Sequence, residues 1–370
     1  MTPKIIAFYL PQYHPTQHNN DWWGPGFTEW TNVAKARPLY KGHYQPKIPA
    51  DLGFYDLRLP ETREAQAKLA KDYGIDGFCY YHYWFGNGKR ELERPFNEVL
   101  NSGKPDFPFM LCWANESWTA KFWNPDGSKI DRKVLVEQTY SDDDIDRHFM
   151  ELLPAFLDKR YIRIEGKPAF MIYKPLMLPD AQAFIRRWQC LAKENGLDGI
   201  YFLCQLQMDI TDEVIHRLLK EGFDAVNTCR LFDIWVSRRT KGQLITRAFD
   251  RFIRRIPGIR EYSEMYPKFL CDIDLSENVV PTLIPNWDHT PRSGVTGTVL
   301  HGATPELFKA HCIEVLRGVS KKESNPLVFL KSWNEWGEGN YVEPDIKFGH
   351  GFLEAIKDAI KEVEDSTPNL

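Results

Sequence analysis

Two glutamates three residues apart, Glu335 and Glu338, stand in the segment Lys331–Pro344, K-S-W-N-E-W-G-E-G-N-Y-V-E-P. Paired carboxylates of this kind do acid–base chemistry. One hands over a proton while the other takes one or stabilises positive charge, as cleavage of a glycosidic bond requires. Trp333 and Trp336 flank the pair. An indole offers an apolar face for the C–H face of a pyranose and a polar N–H at its edge. Gly337 and Gly339 let the backbone turn sharply around the acids.

Similar residues cluster elsewhere, always at or beyond the end of a short apolar run. Expected ligand contacts are Tyr9 near the end of the first run and His14 after it, Trp30 in the loop beyond, and Tyr81, His82 and Tyr83 in the last part of the second. Trp113, Asn115, Glu116 and Trp118 follow the third, Trp287 and Asp288 a later one, and Trp333 and Asn334 precede the acids themselves. Glu343, before Pro344, reads as a loop anchor.

The elements that would position these residues alternate. Apolar runs at Ile5–Leu10, Gly77–Phe85, Phe107–Cys112, Pro168–Tyr173, Ile200–Leu206, Asp224–Cys229, Val279–Pro285 and Leu327–Lys331 read as buried strands. Helical stretches lie between them, among them Glu61–Tyr73, Glu91–Leu100, Ala181–Asn195, Asp212–Glu221, Pro305–Gly318 and His350–Glu362. The acidic run Asp142–Asp146 suits a helix N-terminus better than a calcium loop. Eight strand–helix units predict an α/β fold of the (β/α)8 TIM-barrel class, whose sites lie at the strand C-termini. A doubly wound nucleotide-binding sheet is disfavoured, because no G-x-G-x-x-G or P-loop follows a strand. The 370 residues are expected to form a single domain with loop insertions at about 11–59, 113–140 and 230–278. The second insertion carries Trp123 and Asp126-Gly127. The third carries the basic residues Arg238, Arg239, Lys241, Arg247, Arg251, Arg254 and Arg255, expected on the solvated face of an amphipathic helix.

Composition narrows the function classes. A formal net charge of −4 gives no footprint for nucleic acid. Apolar residues at 43% support a sizeable core, and no apolar stretch is long enough to span a membrane. Aromatics at 14%, with 12 Trp, exceed what packing alone requires and point to a flat ligand such as a carbohydrate. Seven cysteines without C-x-x-C or metal-ligand spacing predict reduced thiols, no metal and no cofactor. Together with an N-terminus that lacks a signal-peptide pattern, they predict a cytoplasmic location.

Glu29-Trp30-Thr31-Asn32, Cys79–Trp84, Cys112–Glu116, Pro285–Asp288 and Trp333–Glu338 together resemble the WbsX-type proteins. These are similar to glycoside hydrolase family 99, the endo-α-1,2-mannosidases and mannanases. The resemblance to WbsX-type proteins runs from Lys4 to about Ile360; that to family 99 centres on the last motif and the barrel. It implies a retaining, metal-free barrel hydrolase working through a 1,2-anhydro sugar. Glu335 would take the proton of the sugar 2-hydroxyl, which attacks its own anomeric carbon. Glu338 would protonate the leaving oxygen and then activate water. Common retaining enzymes instead use a carboxylate nucleophile roughly 5–5.5 Å from the acid. WbsX-type proteins also carry a glycosyltransferase label and an association with O-antigen and capsule genes. Transfer would call for a nucleotide-sugar site; Asp272 and Asp274 form a D-x-D spacing, but no such pair stands at a strand end. The expectation is a glycoside hydrolase acting on α-linked bonds of a bacterial polysaccharide. The alternatives are a polysaccharide-assembling glycosyltransferase and a non-catalytic glycan-binding protein.

Overall fold

The computed structural model describes residues 2–119, 134–237, 253–324 and 326–366. Trp123, Asp126-Gly127 and the basic positions Arg238, Arg239, Lys241, Arg247 and Arg251 lie outside the described residues. Eight parallel strands form one closed ring: β1 (Lys4–Tyr9), β2 (Gly77–Trp84), β3 (Phe109–Trp113), β4 (Lys167–Ile172), β5 (Tyr201–Leu206), β6 (Ala225–Thr228), β7 (Val279–Leu283) and β8 (Leu327–Leu330). Each strand pairs with its neighbour in sequence, and β1 closes on β8 with Ile6 opposite Phe329. Around them run α1 (Pro60–Asp72), α2 (Arg94–Ser102), α3 (Asp142–Leu157), α4 (Ala181–Glu194), α5 (Asp212–Lys220), α6 (Leu231–Ser237), α7 (Pro305–Val319) and α8 (Gly351–Ser366). This is the expected (β/α)8 TIM barrel, with strand ends shifted by one or two residues.

The strands are continuous apolar runs because both faces are covered. Their two-residue period sorts side chains between the barrel interior and the helix layer. In β2, Tyr81 stacks on Phe8, which in turn stacks on Phe329, so this face looks inward. Its neighbours look outward: Tyr80 packs on Phe96 of α2, and Trp84 donates its indole N–H to Asp144 of α3. Helix starts follow local chemistry. Asp180, Thr211 and Thr304 each accept a backbone N–H from the first turns of α4, α5 and α7.

The β1–α1 connection carries two short helices, Gln17–Trp23 and Glu29–Lys35, where unpatterned loop was expected. Thr16 and Thr28 cap them through their side-chain oxygens. The second helix lies against the β8 tip, with the Trp30 and Trp336 rings 5.6 Å apart. Beyond β6, Asp274 is wholly buried and doubly bound by Arg230, at 2.6 and 2.9 Å, and also accepts from Thr228. Asp274 is therefore a scaffold residue, while Asp272 beside it is exposed. A second core of Cys229, Leu231, Tyr262, Met265, Phe269, Ile284, Trp287 and Leu300 supports the loops after β6 and β7. All seven cysteines are free thiols, and among the described residues no helix is long and apolar enough to cross a membrane.

Candidate active site

The β8 tip is fastened before it turns. Asn334 accepts from Leu10 N at 2.8 Å and donates to Leu10 O at 3.1 Å, which joins the ends of β8 and β1. Asn334–Glu335 then pairs antiparallel with Asn340–Tyr341 around a single 3-10 turn, Trp336–Glu338. Gly339 closes the turn at φ 53°, left-handed and glycine-favouring. Gly337 answers a different need. A Cβ there would stand 2.0 Å from the Glu29 carboxylate, so only glycine admits that close approach.

Glu335 and Glu338 are held by one guanidinium. Arg292, on the short helix Thr290–Ser293 after β7, donates from Nη2 to Glu335 and from Nη1 to Glu338, each at 2.7 Å. Its Nε reaches Glu29 at 3.0 Å. Three carboxylates thus share one cation, and Glu29 has no exposed surface at all. Lys331 and His289 add to the local field, although burial holds His289 below its usual proton affinity. One guanidinium cannot neutralise three buried negative charges, so at least one carboxyl retains its proton.

The field sets the two catalytic candidates apart. Burial pushes Glu335 up to about 8, aided by Glu338 and Glu29 and opposed by Arg292 and Lys331. Burial acts on Glu338 in the same sense, but Arg292, Lys331 and His289 outweigh it and hold Glu338 below the ordinary glutamate range. Burial raises Glu29 as well, against Arg292; of the two glutamates on the β8 turn, Glu335 is the one that favours the protonated form. Divergent proton affinities in an adjacent carboxyl pair are the usual basis for splitting acid and base roles.

A stability prediction follows from this. The Glu335 carboxyl has a higher proton affinity folded than unfolded. Between its ordinary value of 4.5 and about 8 the folded state keeps a proton that the unfolded chain has lost. Its contribution to stability therefore falls as pH rises across that window. Glu335→Gln is expected to raise the melting temperature at pH 8.5, by about 2 °C or more. The gain should fade toward pH 4.5. Scanning calorimetry at both pH values checks this, and an equal shift at both would contradict it.

Other groups line the same mouth. Tyr81 and Tyr83 face inward, and the Glu335 charge adds to burial in raising both phenols. Trp118, half-buried, meets the Tyr83 ring edge-on at 5.1 Å. Glu116 is raised by burial and opposed by Lys174, and it also feels Glu338. Lys174 lies over the Tyr173 ring at 4.7 Å. Of the ligand contacts expected from the sequence, Tyr81, Tyr83, Glu116 and Trp118 gather around the glutamates.

The remaining candidates do not join that cluster; most of their polar groups are engaged with the scaffold, and Asp288 lines a neighbouring cavity instead. Tyr9 points into the helix layer, where its hydroxyl donates to Gln66 of α1 at 2.7 Å. His82 and Trp113 sit on outward strand positions. His82 shares a 2.9 Å ring-nitrogen contact with His148, and the Trp113 indole donates to Trp84 O. His14 is 2% exposed, and burial lowers it to about 4. Trp30 donates to Tyr55 O and backs Trp336. Asn115 bridges Tyr140 and the Lys174 backbone. Trp333 has no exposed surface and packs on Phe78. Trp287 donates to Thr298 within the second core. Asp288 is fully engaged by His43, Gln45 and Thr290. Asn334 is spent on Leu10 and Tyr55. Glu343 receives Trp336, Tyr55 and Gln66, an anchor inside the scaffold.

Arg292, Glu29, Lys331 and His289 were missed as functional residues. The Glu29-Trp30 motif was visible, but nothing assigned its carboxylate a partner 263 residues away. Arg292 sits in T-P-R-S, which carries no catalytic pattern. A lone lysine at the end of a buried apolar strand, Lys331, was the one readable signal.

Comparison with known proteins places this arrangement in context. The family model described as glycosyltransferase WbsX matches residues 5–356. The "Uncharacterized protein WxcX" of Xanthomonas campestris pv. campestris is 34% identical over 365 residues, covering 98% of this chain and 50% of that protein. The chain thus spans about half the length of the curated relatives it matches. Among solved structures, a glycoside hydrolase-like protein superposes with a TM-score of 0.61 at 16% identity, covering 97% of this chain and 94% of its own. A GH99 endo-alpha-mannosidase from Bacteroides thetaiotaomicron gives 0.57 at 14% identity, covering 98% and 97%. At such identities the likeness is one of fold.

Proposed function

The chain belongs to the WbsX glycosyltransferase family, and from that premise we propose that it hydrolyses α-linked glycosidic bonds in a bacterial polysaccharide, with retention. The observation that carries this reading is the pair Glu335 and Glu338 on the two Nη groups of Arg292. Two adjacent carboxyls with opposite proton affinities, facing an aromatic mouth, suit acid–base cleavage of a sugar acetal.

In this reading Glu335 receives the 2-hydroxyl proton, and the 2-oxygen attacks the anomeric carbon as the glycosidic C–O bond breaks. Glu338 gives its proton to the leaving oxygen. Glu338 then draws a proton from water, whose oxygen opens the 1,2-anhydro ring at the anomeric carbon, and the 2-oxygen recovers its proton from Glu335. At rest the protonated form is favoured by the opposite member of the pair. Substrate moves both groups toward the working state. A hydroxyl donating to Glu335 stabilises its ionised form. Covering Glu338, whose side chain is 19% exposed against 8% for Glu335, strips water from it and raises its proton affinity.

The family's description favours a second reading, transfer from a nucleotide-sugar. One experiment separates them. The protein is incubated with α-mannosides, α-rhamnosides and bacterial O-polysaccharides, and in parallel with nucleotide-sugars, with products followed by mass spectrometry. A released reducing sugar, absent with Glu335→Gln, supports hydrolysis. Consumption of a nucleotide-sugar with no glycan cleavage overturns it in favour of transfer.

A further inference from the structure

A second cavity, of about 350 Å³, opens beside the β8 tip between the 40–47 loop and the segments after β7 and β8. Tyr40, Tyr44, Tyr341 and Phe348 supply aromatic walls, and Lys47 and His301 supply polar ones. Neither Glu335 nor Glu338 lines it. It adjoins their turn through the backbone, since Lys47 Nζ donates to Gly339 O at 3.0 Å and Asp288 N donates to Glu338 O at 2.7 Å.

Lys47 is the unusual member. It is 8% exposed and makes that single hydrogen bond, although an ammonium carries three donors. Burial lowers its proton affinity, while Asp288 and Asp345 oppose that through space; among the described residues neither carboxylate comes within ion-pair distance of it, and the Tyr341 ring face lies at 5.3 Å. Two carboxylates line the cavity, and both are already occupied. Asp288 accepts from His43, Gln45 and twice from Thr290. Asp345 accepts from the Tyr341 hydroxyl and Phe348 N, each at 2.6 Å. A buried cation with no carboxylate in direct contact is costly, and an anion that reached it would lower that cost. Lys47 lines the cavity with one of its three donors hydrogen-bonded, and the oxygens of Asp288 and Asp345 are engaged by other donors. Aromatic faces around the same space suit a pyranose ring, and the volume falls at the small end of ligand pockets.

We propose that this cavity is a glycan subsite for an anionic sugar residue, a uronate or a phosphate-bearing sugar, whose charged oxygens pair with Lys47. The inference rests on the reading of the chain as glycan-processing, and it makes the polymer acidic. The residue held here would lie one turn of backbone from the cleaved bond.

The test needs no turnover. Binding of methyl α-glucuronoside, its carboxyl methyl ester, mannose 6-phosphate and mannose is measured by calorimetry on the full chain. The acid is expected to bind at least about tenfold more tightly than its ester, or the phosphate than mannose, as a charge-assisted bond would give. Whichever acid discriminates names the charged group. Lys47→Gln, which keeps a donor for Gly339 O, should erase the difference, and Lys47→Arg should retain part of it. Equal binding of acid and ester, and of phosphate and mannose, in the unaltered protein overturns the proposal. Discrimination that persists in folded Lys47→Gln does so too. The ester comparison stands even where a Lys47 variant fails to fold. Neutral glycans cleaved with no preference for charge would remove this inference and leave the hydrolytic reading. Charge-selective binding through Lys47, with no glycan cleaved, would do the reverse.

Discussion

Glu338→Gln is expected to lower glycan turnover by about 10²–10⁴-fold, the range of a lost general acid–base group, while the fold and glycan binding survive. The substitution removes the proton donor to the leaving oxygen and the base toward water. It preserves the size of the side chain and an oxygen for Arg292 Nη1, which now holds Glu338 at 2.7 Å. The loss should depend on the leaving group. A glycosyl fluoride needs no protonation, so the first step should recover in Glu338→Gln. Glu335→Gln should gain nothing from fluoride, because its missing task is activation of the 2-hydroxyl. Single-turnover kinetics with the natural glycan and the fluoride, on both variants, checks this. Rescue of Glu335→Gln instead of Glu338→Gln would exchange the two roles and match the resting preference of the pair. Full activity in Glu338→Gln would remove the pair from catalysis.

Arg292→Leu is expected to destabilise the protein by about 3–5 kcal/mol at pH 8, the usual consequence of removing one partner of a buried ion cluster. Glu29, Glu335 and Glu338 would then face one another without their shared cation, with Lys331 still acting on the pair. The pH dependence distinguishes this from simple loss of packing. Without Arg292 all three carboxyls bind protons more tightly folded than unfolded, so stability falls as pH rises above the ordinary glutamate value of 4.5. The defect should be largest at pH 8 and smallest near pH 4.5. Urea unfolding at both values measures it. A defect independent of pH would mean that the guanidinium serves mainly as packing. Arg292→Lys should recover only part, because a point charge cannot present three separate N–H groups to three carboxylates.

Legibility of the site followed the physics of each residue. Glu335 and Glu338 were readable because adjacent positions of one segment form the pair, and spacing along the chain survives folding. Tyr81 and Tyr83 were readable as candidates, but so were His82 and Trp113, which turned out to face α3 and α4. Composition at a strand tip marks where chemistry could sit and does not reveal which side chains look inward. That depends on a register that changes sides at every residue. Trp333 and Trp30 were over-read for a related reason. An indole at a strand tip packs as readily behind a site as in front of it, and here both brace the turn that carries the acids.

By itself the sequence determined the barrel, because eight apolar runs with helical stretches between them have one economical way to cover both faces of a parallel sheet. It also singled out Glu335 and Glu338 as candidates, through a local spacing. The charge on the pair, by contrast, depends on contacts that exist only in the folded chain. Glu29 lies some 300 residues before the acids, and Arg292 more than 40 before them. Burial, the approach of Glu29 to Gly337, and one guanidinium shared three ways make Glu335 the member of the pair that favours a proton. Electrostatics depends on distance and on exclusion of water, and neither quantity exists until the chain has closed.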